Sequence, residues 1–231
     1  MKRRGKKYNE SLEKVKLDSY TIEEAIKLVK DTAAVKYDAS VTLAVRLNYD
    51  EKQADQQLRG ALVLPNGTGK ALKVLVIATG EKAEEAKKAG ADFVGEQDML
   101  DKIVKENWFG FDVIITTPDM MPKLGKLGKI LGTKGLMPNP KTGTVTTNVE
   151  KAVLEIKKGK ANYRTDKLGN VHVLIGKVSF SEKEIAENLD VIMSHIISLR
   201  SSSVKGDYVR NVSISSDMGP GIKIKVSQFD K

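Results

Sequence analysis

The sequence predicts an α/β protein with two domains: a discontinuous α+β domain with an antiparallel sheet, and an inserted Rossmann-like α/β domain of three layers. Two contrasting patterns support this prediction. Residues 71–159 alternate apolar runs with amphipathic stretches, whereas the segments on both sides place apolar and polar side chains at alternate positions. Apolar runs are typical of parallel strands buried on both faces, and alternation is typical of strands with one face in solvent.

The predicted strands of the insertion are short and apolar. Residues 74–78 and 112–116 are rich in consecutive apolar side chains, and Phe93 with Val94 forms a third, shorter strand. The stretches between these strands favour helices. Because alternating strands and helices form βαβ units, the insertion is predicted to hold a small, mainly parallel sheet.

Local signals set the limits of the helices in the insertion. Residues 81–89 favour a helix that stops at Gly90, and Asp98 is predicted to cap the next helix. Pro122 stands in the first turn of a lysine-bearing helix, where its missing N–H costs little. Asn148 is predicted to cap the last helix.

The flanking segments combine alternating strands with two capped helices. Alternation predicts strands near residues 41–48, 171–175 and 222–226. Capping boxes predict the starts of two amphipathic helices, formed by Thr21 with Glu24 and by Ser181 with Glu184.

Neither flank has enough strands for a sheet of its own. We therefore predict that residues 1–70 and 160–231 form one discontinuous domain and that residues 71–159 are an inserted domain. Glycine-bearing linkers join the two, and Gly67, Gly69 and Gly159 are predicted to form a hinge.

The charge of the 231-residue chain divides along the same boundary. The net charge is +9, and the discontinuous domain holds 25 basic against 18 acidic residues, whereas the insertion holds 14 against 12. The sequence has no cysteine, which excludes disulfides and thiolate metal sites and fits a reducing cytoplasm. No signal peptide or membrane-length apolar run is found, so we expect a soluble, unexported protein without membrane partners.

The sequence offers little for catalysis. The stretch from Gly67 to Lys70 suggests a phosphate loop, but Leu64 and Ala71 stand where that motif needs glycine and a hydroxyl residue. The two histidines, His172 and His195, are not clustered with carboxylates. We therefore predict no catalytic residue, metal site, cofactor or small-molecule substrate. A nucleotide-dependent enzyme that uses the inserted sheet is the alternative.

Several features of the discontinuous domain favour a nucleic acid partner. They are a cation beside a ring at Lys36 and Tyr37, a polar turn at residues 164–170, and a basic arm formed by Lys2, Arg3, Arg4, Lys6 and Lys7. Each has a plainer explanation, such as a solvated tail or a ring packed at a sheet edge. Ser213, Ser215 and Asp217 are predicted on one strand face, and hydroxyls there can bind phosphate or ribose oxygens. A general basic chaperone or nucleoid protein is a further alternative.

The most diagnostic stretch is residues 124–140, a lysine-bearing helix that runs into Gly-x-x-Gly-Leu-Met-Pro-x-Pro. Together with motifs at residues 55–60, 64–70, 89–92, 117–119 and 218–220, it resembles the bacterial ribosomal protein L-one family. Members of that family belong to the mobile stalk of the large ribosomal subunit. The resemblance extends over essentially the whole chain.

The resemblance implies a non-catalytic, cytoplasmic, ribosome-associated protein. Its implied partners are a three-way junction of the large-subunit rRNA, deacylated tRNA at the exit site, and the mRNA of its own operon, whose translation it would repress. The implied rRNA surface includes Arg3, Arg4, Lys36, Tyr37, Ser40, Arg164, Asp166, Lys167, Ser213, Ser215, Met218 and Gly219. The implied contacts to tRNA or the outer stalk are Lys126, Lys129, Lys134 and Lys141.

Two positions of the implied surface carry specific expectations. The family usually has threonines before the Met-Gly pair, whereas this chain has Ser215, Ser216 and Asp217. A carboxylate at Asp217 would repel phosphate unless it accepts a hydrogen bond from a 2′-OH or a base amine. At Gly219, a side chain is expected to block the approach of the RNA backbone.

Overall fold

The computed structural model describes residues 5–50, 53 and 56–229, so the predictions for Arg3 and Arg4 lie outside the described residues. The chain divides into two compact units. Residues 1–69 with 161–231 form unit one, and residues 70–160 form unit two. These limits lie within one residue of the predicted boundaries, and the independence of the two domains stays a prediction.

Both units contain strands and helices. In chain order, the strands are β1 (Ser40–Leu47), β2 (Arg59–Val63), β3 (Val74–Ile77), β4 (Phe93–Gly95), β5 (Val113–Thr116), β6 (Lys160–Arg164), β7 (Asn170–Lys177), β8 (Val209–Ser216) and β9 (Ile222–Ile224). The α-helices are α1 (Lys6–Glu13), α2 (Ile22–Asp31), α3 (Glu81–Lys88), α4 (Gln97–Glu106), α5 (Met121–Gly125), α6 (Gly128–Thr133), α7 (Val149–Lys157) and α8 (Glu182–Ser198). No helix of the described residues is long and apolar enough to cross a membrane.

Unit one is built on a four-stranded sheet in the order β7-β1-β8-β9, with antiparallel pairing throughout. The alternation predicted for β1 is confirmed: Val41, Leu43 and Val45 are fully buried, while Arg46 on the opposite face is exposed. Helices α2 and α8 belong to the same hydrophobic core as these buried residues. The apolar face of the sheet is therefore covered, and its polar face stays open.

The two predicted capping boxes are confirmed. At the start of α2, the Thr21 hydroxyl accepts from Glu24 N–H and the Glu24 carboxylate accepts from Thr21 N–H. Ser181 and Glu184 make the same exchange at the start of α8. Backbone N–H donation from Thr21 and from Ser181, with help from their hydroxyls, lowers the pKa of each glutamate.

A buried asparagine on α8 holds the loop that precedes unit two. The amide of Asn188 is fully buried, donates to the carbonyls of Gly67 at 3.0 Å and Ile175 at 2.8 Å, and accepts from Asn66 N–H at 3.2 Å. At Gly69, whose φ is +70°, a Cβ would lie 2.6 Å from Lys177 Cγ. These contacts fix the loop as far as Gly69 within unit one.

Unit two has a three-stranded parallel sheet in the order β4-β3-β5, which confirms the predicted parallel strands. Alternate residues of β3 face two separate cores. Leu75 and Ile77 pack in a core that includes residues of α4, α5 and α6, and Val74 and Val76 pack in a core that includes residues of α3 and α7. Helices thus cover both faces of the sheet.

An aromatic group lies at the edge of the first of these cores. Trp108 stands edge-on to Phe93 with ring centroids 4.8 Å apart, and it also contacts Phe111 at 5.4 Å. The amine of Lys102 lies 5.4 Å from the Trp108 ring, and that of Lys134 lies 4.2 Å from the Phe109 ring. Such cation–π contacts hold both lysine stems against the aromatic surface.

Three local predictions for unit two have different outcomes. Asn148 caps α7 as predicted, because its side chain accepts from Lys151 N–H. The prediction for Asp98 is wrong: α4 begins after Glu96, and the Asp98 carboxylate accepts from Glu96 N–H inside the first turn. The lysine-bearing helix after Pro122 is also not continuous, because it divides into α5 and α6.

Two elements of unit one were missed. Lys6 and Lys7 of the predicted basic arm lie in α1, which is anchored where the Ser11 hydroxyl donates to the Thr32 carbonyl at 3.1 Å. Strands β2 and β6 pair as a separate two-stranded sheet. Both cases depend on contacts between distant segments.

We predict that Asn188→Ala lowers the free energy of unfolding by about 2–4 kcal/mol, since it leaves buried groups of the loop and of β7 without partners. Denaturant unfolding followed by far-UV circular dichroism measures the change. Glu187→Ala is the matched control on α8: its exposed carboxylate also bonds Asn66, and the expected cost is below about 1 kcal/mol. Equal losses for the two variants would contradict the role given to Asn188.

Candidate nucleic-acid interface

The open face of the unit one sheet carries a row of polar side chains. Across the neighbouring strands β7, β1, β8 and β9, His172 is opposite Ala44, Ala44 is opposite Ser213, and Ser213 is opposite Lys223. Opposed side chains on one face stand about 5 Å apart, so the row crosses the sheet over roughly 15 Å. Thr42 and Ser215 form a second pair on the same face. Hydroxyls and cations thus share one solvent-facing surface.

One end of this face, which we name the Met218 end, joins the start of β1 to the end of β8. Ser40 of β1 pairs with Lys177, and Val41 pairs with Ser216. Because β1 and β8 are antiparallel, the segment before Ser40 and the segment after Ser216 meet there. The structure therefore brings together five predicted contact residues, Lys36, Tyr37, Ser40, Met218 and Gly219.

Internal hydrogen bonds fix the Met218 end. The Asp217 carboxylate accepts from Ser40 N–H at 2.9 Å, and Asp217 N–H donates to the Ser40 carbonyl at 3.0 Å. The Lys177 amine donates to the Ser40 hydroxyl and to the Asp38 carbonyl, both at 3.1 Å. Ser40 is accordingly buried, with 8% of its surface exposed. Asp217 and Ser40 thus hold the backbone in place.

Met218 projects from the Met218 end on a strained backbone. Its φ is +62° and 80% of its surface is exposed, whereas Tyr37 nearby in the assembled end is 56% exposed. A left-handed conformation costs a non-glycine residue about 1–2 kcal/mol, and such strain persists where the surrounding structure enforces it. At this position Gly219 N–H closes the turn by donating to the Ser216 carbonyl at 2.9 Å, and the hydrogen bonds of Asp217 to Ser40 fix the residue before Met218.

Gly219 lies close against the end of β8. A Cβ at Gly219 would lie 2.3 Å from Ser216 Oγ and 3.3 Å from the Ser216 carbonyl oxygen. A side chain there would press on the end of β8, and the expectation that it would also block the RNA backbone stays a prediction. Ser216 Oγ is buried and has no hydrogen-bond partner among the described residues.

The other end of the open face is the turn between β6 and β7, with Arg164 and Lys167 both exposed. The Asp166 carboxylate accepts from Leu168 N–H at 2.9 Å and from the backbone and side-chain N–H groups of Asn170 at 2.7 and 2.9 Å. Side-chain donation by Asn170, followed by these backbone bonds, lowers the pKa of Asp166. The Asp166 carboxylate therefore shapes the turn that presents the two cations.

The predicted contact residues thus form two groups separated by the length of β1. At about 3.3 Å per residue, Ser40 and Leu47 are roughly 23 Å apart. Ser213 and Ser215 lie between the groups on the open face of β8, as predicted, whereas Asp217 follows the end of that strand in a turn. These residues follow an extended surface of unit one.

Sequence reasoning missed four members of this surface. Arg46, His172 and Lys223 are exposed on the open face, and Leu168 at the tip of the β6–β7 turn is 77% exposed. The polar positions of the alternating strands already contained the first three. The missing information was the register that places them side by side with the serines.

The four lysines assigned to tRNA or the outer stalk, Lys126, Lys129, Lys134 and Lys141, are all exposed in unit two. Lys126 follows α5 and Lys129 lies in α6, whereas Lys134 rests over Phe109. The backbone at Lys141 is fixed, because its N–H donates to the Asn139 side chain at 2.8 Å. The four lysines therefore lie on the folded surface of unit two and not on a free tail.

The two histidines have no shared environment. His195 Nε2 is hydrogen-bonded to the Tyr163 hydroxyl at 2.8 Å, and His172 is exposed on the sheet. Burial raises the pKa of Tyr163. Across the described residues, no group of three or more histidines and carboxylates is placed to hold a metal ion.

Comparison with known families agrees with the architecture. Residues 29–220 match the family described as Ribosomal protein L1p/L10e family. The match spans most of the chain, from α2 to the Met218 end, and the antiparallel and parallel sheets fit the fold of that family. Members are structural, generally non-catalytic ribosomal proteins that bind rRNA in the large subunit. The chain therefore belongs to the Ribosomal protein L1p/L10e family and is a ribosome-associated, rRNA-binding protein of the large subunit.

Proposed function

We propose that the open face of unit one and its two ends bind the three-way junction of the large-subunit rRNA at the mobile stalk. The row formed by His172, Ser213 and Lys223 is the observation that carries this proposal. Cations neutralise phosphates, while strand hydroxyls are suited to ribose 2′-OH groups, a combination that favours structured RNA over DNA. The higher positive charge of this part of the chain supports the same assignment.

We propose different partners for unit two. The exposed Lys126, Lys129, Lys134 and Lys141 would contact tRNA at the exit site or the outer stalk, where the protein assists tRNA movement and release. Repression of the operon mRNA would use the unit one surface, because one protein face can bind two RNAs that share a fold. Under this proposal, the mRNA structure and the rRNA junction compete for one site.

We also propose where the linkers bend. Gly67 was predicted as part of a hinge, but Asn188 holds its carbonyl, and Gly69 packs against Lys177. Residues 70–73 follow these anchors, and Gly159, with φ of +94°, stands at the return to unit one. We place the pivot of the linkers at residues 70–73 and at Gly159.

A fusion of residues 1–70 to residues 160–231 is predicted to bind the stalk-junction RNA within about threefold of the affinity of the full chain. The reason is that the open face and both of its ends are retained. Electrophoretic mobility shift or filter binding measures this, with residues 71–159 alone as the control. Binding that followed residues 71–159 would overturn the assignment of RNA contact to unit one.

Salt dependence should identify individual phosphate contacts. The logarithm of the association constant for RNA is expected to fall linearly with the logarithm of the salt concentration. Lys223→Met should make this slope shallower by roughly 0.7–0.9, the value for one phosphate. Lys27→Met is the matched control, since Lys27 is exposed on α2, which packs on the covered face. Identical slopes for the two variants would exclude phosphate contact at Lys223.

Substitutions of Asp217 separate its two possible effects on RNA binding, which are support of the backbone and repulsion of phosphate. Asp217→Asn keeps an oxygen that accepts from Ser40 N–H and removes the charge, so RNA affinity should be unchanged or slightly higher. Asp217→Ala removes the acceptor and loosens the backbone before Met218, and we expect affinity to fall about tenfold. Equilibrium RNA binding at fixed salt measures both variants. If both variants bound more tightly, Asp217 would act only as a repelling charge.

A further inference from the structure

Unit one has a surface groove beside the Met218 end. Its volume is about 470 Å³, and it is lined by Gly5, Lys7, Tyr8, Ala34, Val35 and Met218. A groove of this size lies within the range of roughly 300–1,000 Å³ that is usual for small-ligand clefts. It borders the proposed RNA surface, because Met218 belongs to both.

The lining combines apolar groups with one cation. Ala34 and Val35 form a half-buried floor, Tyr8 contributes an aromatic ring, and Met218 contributes an exposed thioether. The exposed Lys7 completes the wall on the α1 side. Apolar lining residues with a ring and an adjacent cation suit an aromatic heterocycle joined to a phosphate.

Both walls of the groove are held by contacts elsewhere in unit one. On one side, α1 is tied to the end of α2, because the Ser11 hydroxyl donates to the Thr32 carbonyl at 3.1 Å and the Lys14 amine donates to the Asp31 carbonyl at 2.9 Å. On the other side, the Asp217 bonds to Ser40 fix the backbone before Met218. The groove is therefore formed before any ligand arrives, which reduces the entropy lost on binding.

The charge around the groove identifies the class of occupant. Lys6 and Lys7 lie on α1, and Lys36 directly follows the floor residue Val35; all three are exposed. An apolar peptide would use the floor but would leave this set of cations without counterparts. Proteins that bind structured RNA commonly hold unstacked bases on aromatic side chains while cations contact the adjoining phosphates.

We propose that this groove binds one unpaired nucleobase of the RNA that occupies the open face. The base would insert between Tyr8 and Met218 above Ala34, with its phosphate near Lys7. This inference rests on the proposed function, because it requires RNA on the adjacent surface. It adds a base-reading element to a surface that otherwise contacts phosphate and ribose.

The test combines a groove variant of the full chain with RNAs that each lack one nucleobase. Stalk-junction RNAs are prepared in which each unpaired nucleotide in turn is replaced by an abasic residue. We expect one abasic position to weaken wild-type binding about tenfold, the scale of one base–aromatic stack. Ala34→Phe, which fills the groove, should weaken binding of intact RNA by a similar factor, and the two losses should not add.

Two further variants complete the test. Tyr8→Leu removes the ring and should show the same lack of additivity at the same abasic position, so the result does not depend on the folding of Ala34→Phe. Ser202→Phe adds an identical ring at an exposed position that does not line the groove and should leave affinity unchanged.

If wild-type protein bound the intact junction but the losses from Ala34→Phe and from every abasic position were additive, the base pocket alone would be overturned. Unchanged affinity of folded Ala34→Phe would have the same consequence. Loss of wild-type binding to the intact junction would instead overturn the proposed function, and the base pocket with it.

Discussion

The position of β1 between two antiparallel partners is the constraint on which unit one depends. Its pairing with both β7 and β8 fixes which side chains face α2 and α8 and which face solvent. A slip of one residue would expose Val41, Leu43 and Val45 and bury Arg46. The same register that buries the core therefore assembles the polar face, so packing and the proposed RNA binding depend on one set of backbone hydrogen bonds.

Carboxylates within this cationic surface organise the backbone. Asp217 holds Ser40, Asp166 shapes the β6–β7 turn, and Asp38 accepts from the backbone N–H and the hydroxyl of Ser179. Each acidic group is occupied by donors of unit one, which reduces its repulsion of phosphate. A site near negative charge can still bind a polyanion when the negative groups are engaged internally and the lysines and arginines stay exposed.

Signals confined to a few residues predicted this structure well, and signals that depend on distant contacts did not. The capping boxes and Asn148 were found because each motif lies within one turn. Asp98 was misplaced because a carboxylate that accepts from the residue two before it looks like a cap in sequence. The β2–β6 pairing depends on partners that only the folded chain brings near. The family resemblance supplied the proposed contact residues, and the strand register then added Arg46 and Lys223 to the proposed surface.

The aromatic group around Trp108 has a spectroscopic consequence. The single tryptophan lies in unit two, whereas unit one holds all six tyrosines of the chain, Tyr8, Tyr20, Tyr37, Tyr49, Tyr163 and Tyr208. Excitation at the red edge of the absorption band selects indole, so its emission reports on unit two alone. Tyrosine absorbance reports on unit one. The natural chain therefore carries a separate optical label in each half, and the two halves can be followed in one sample without any added dye.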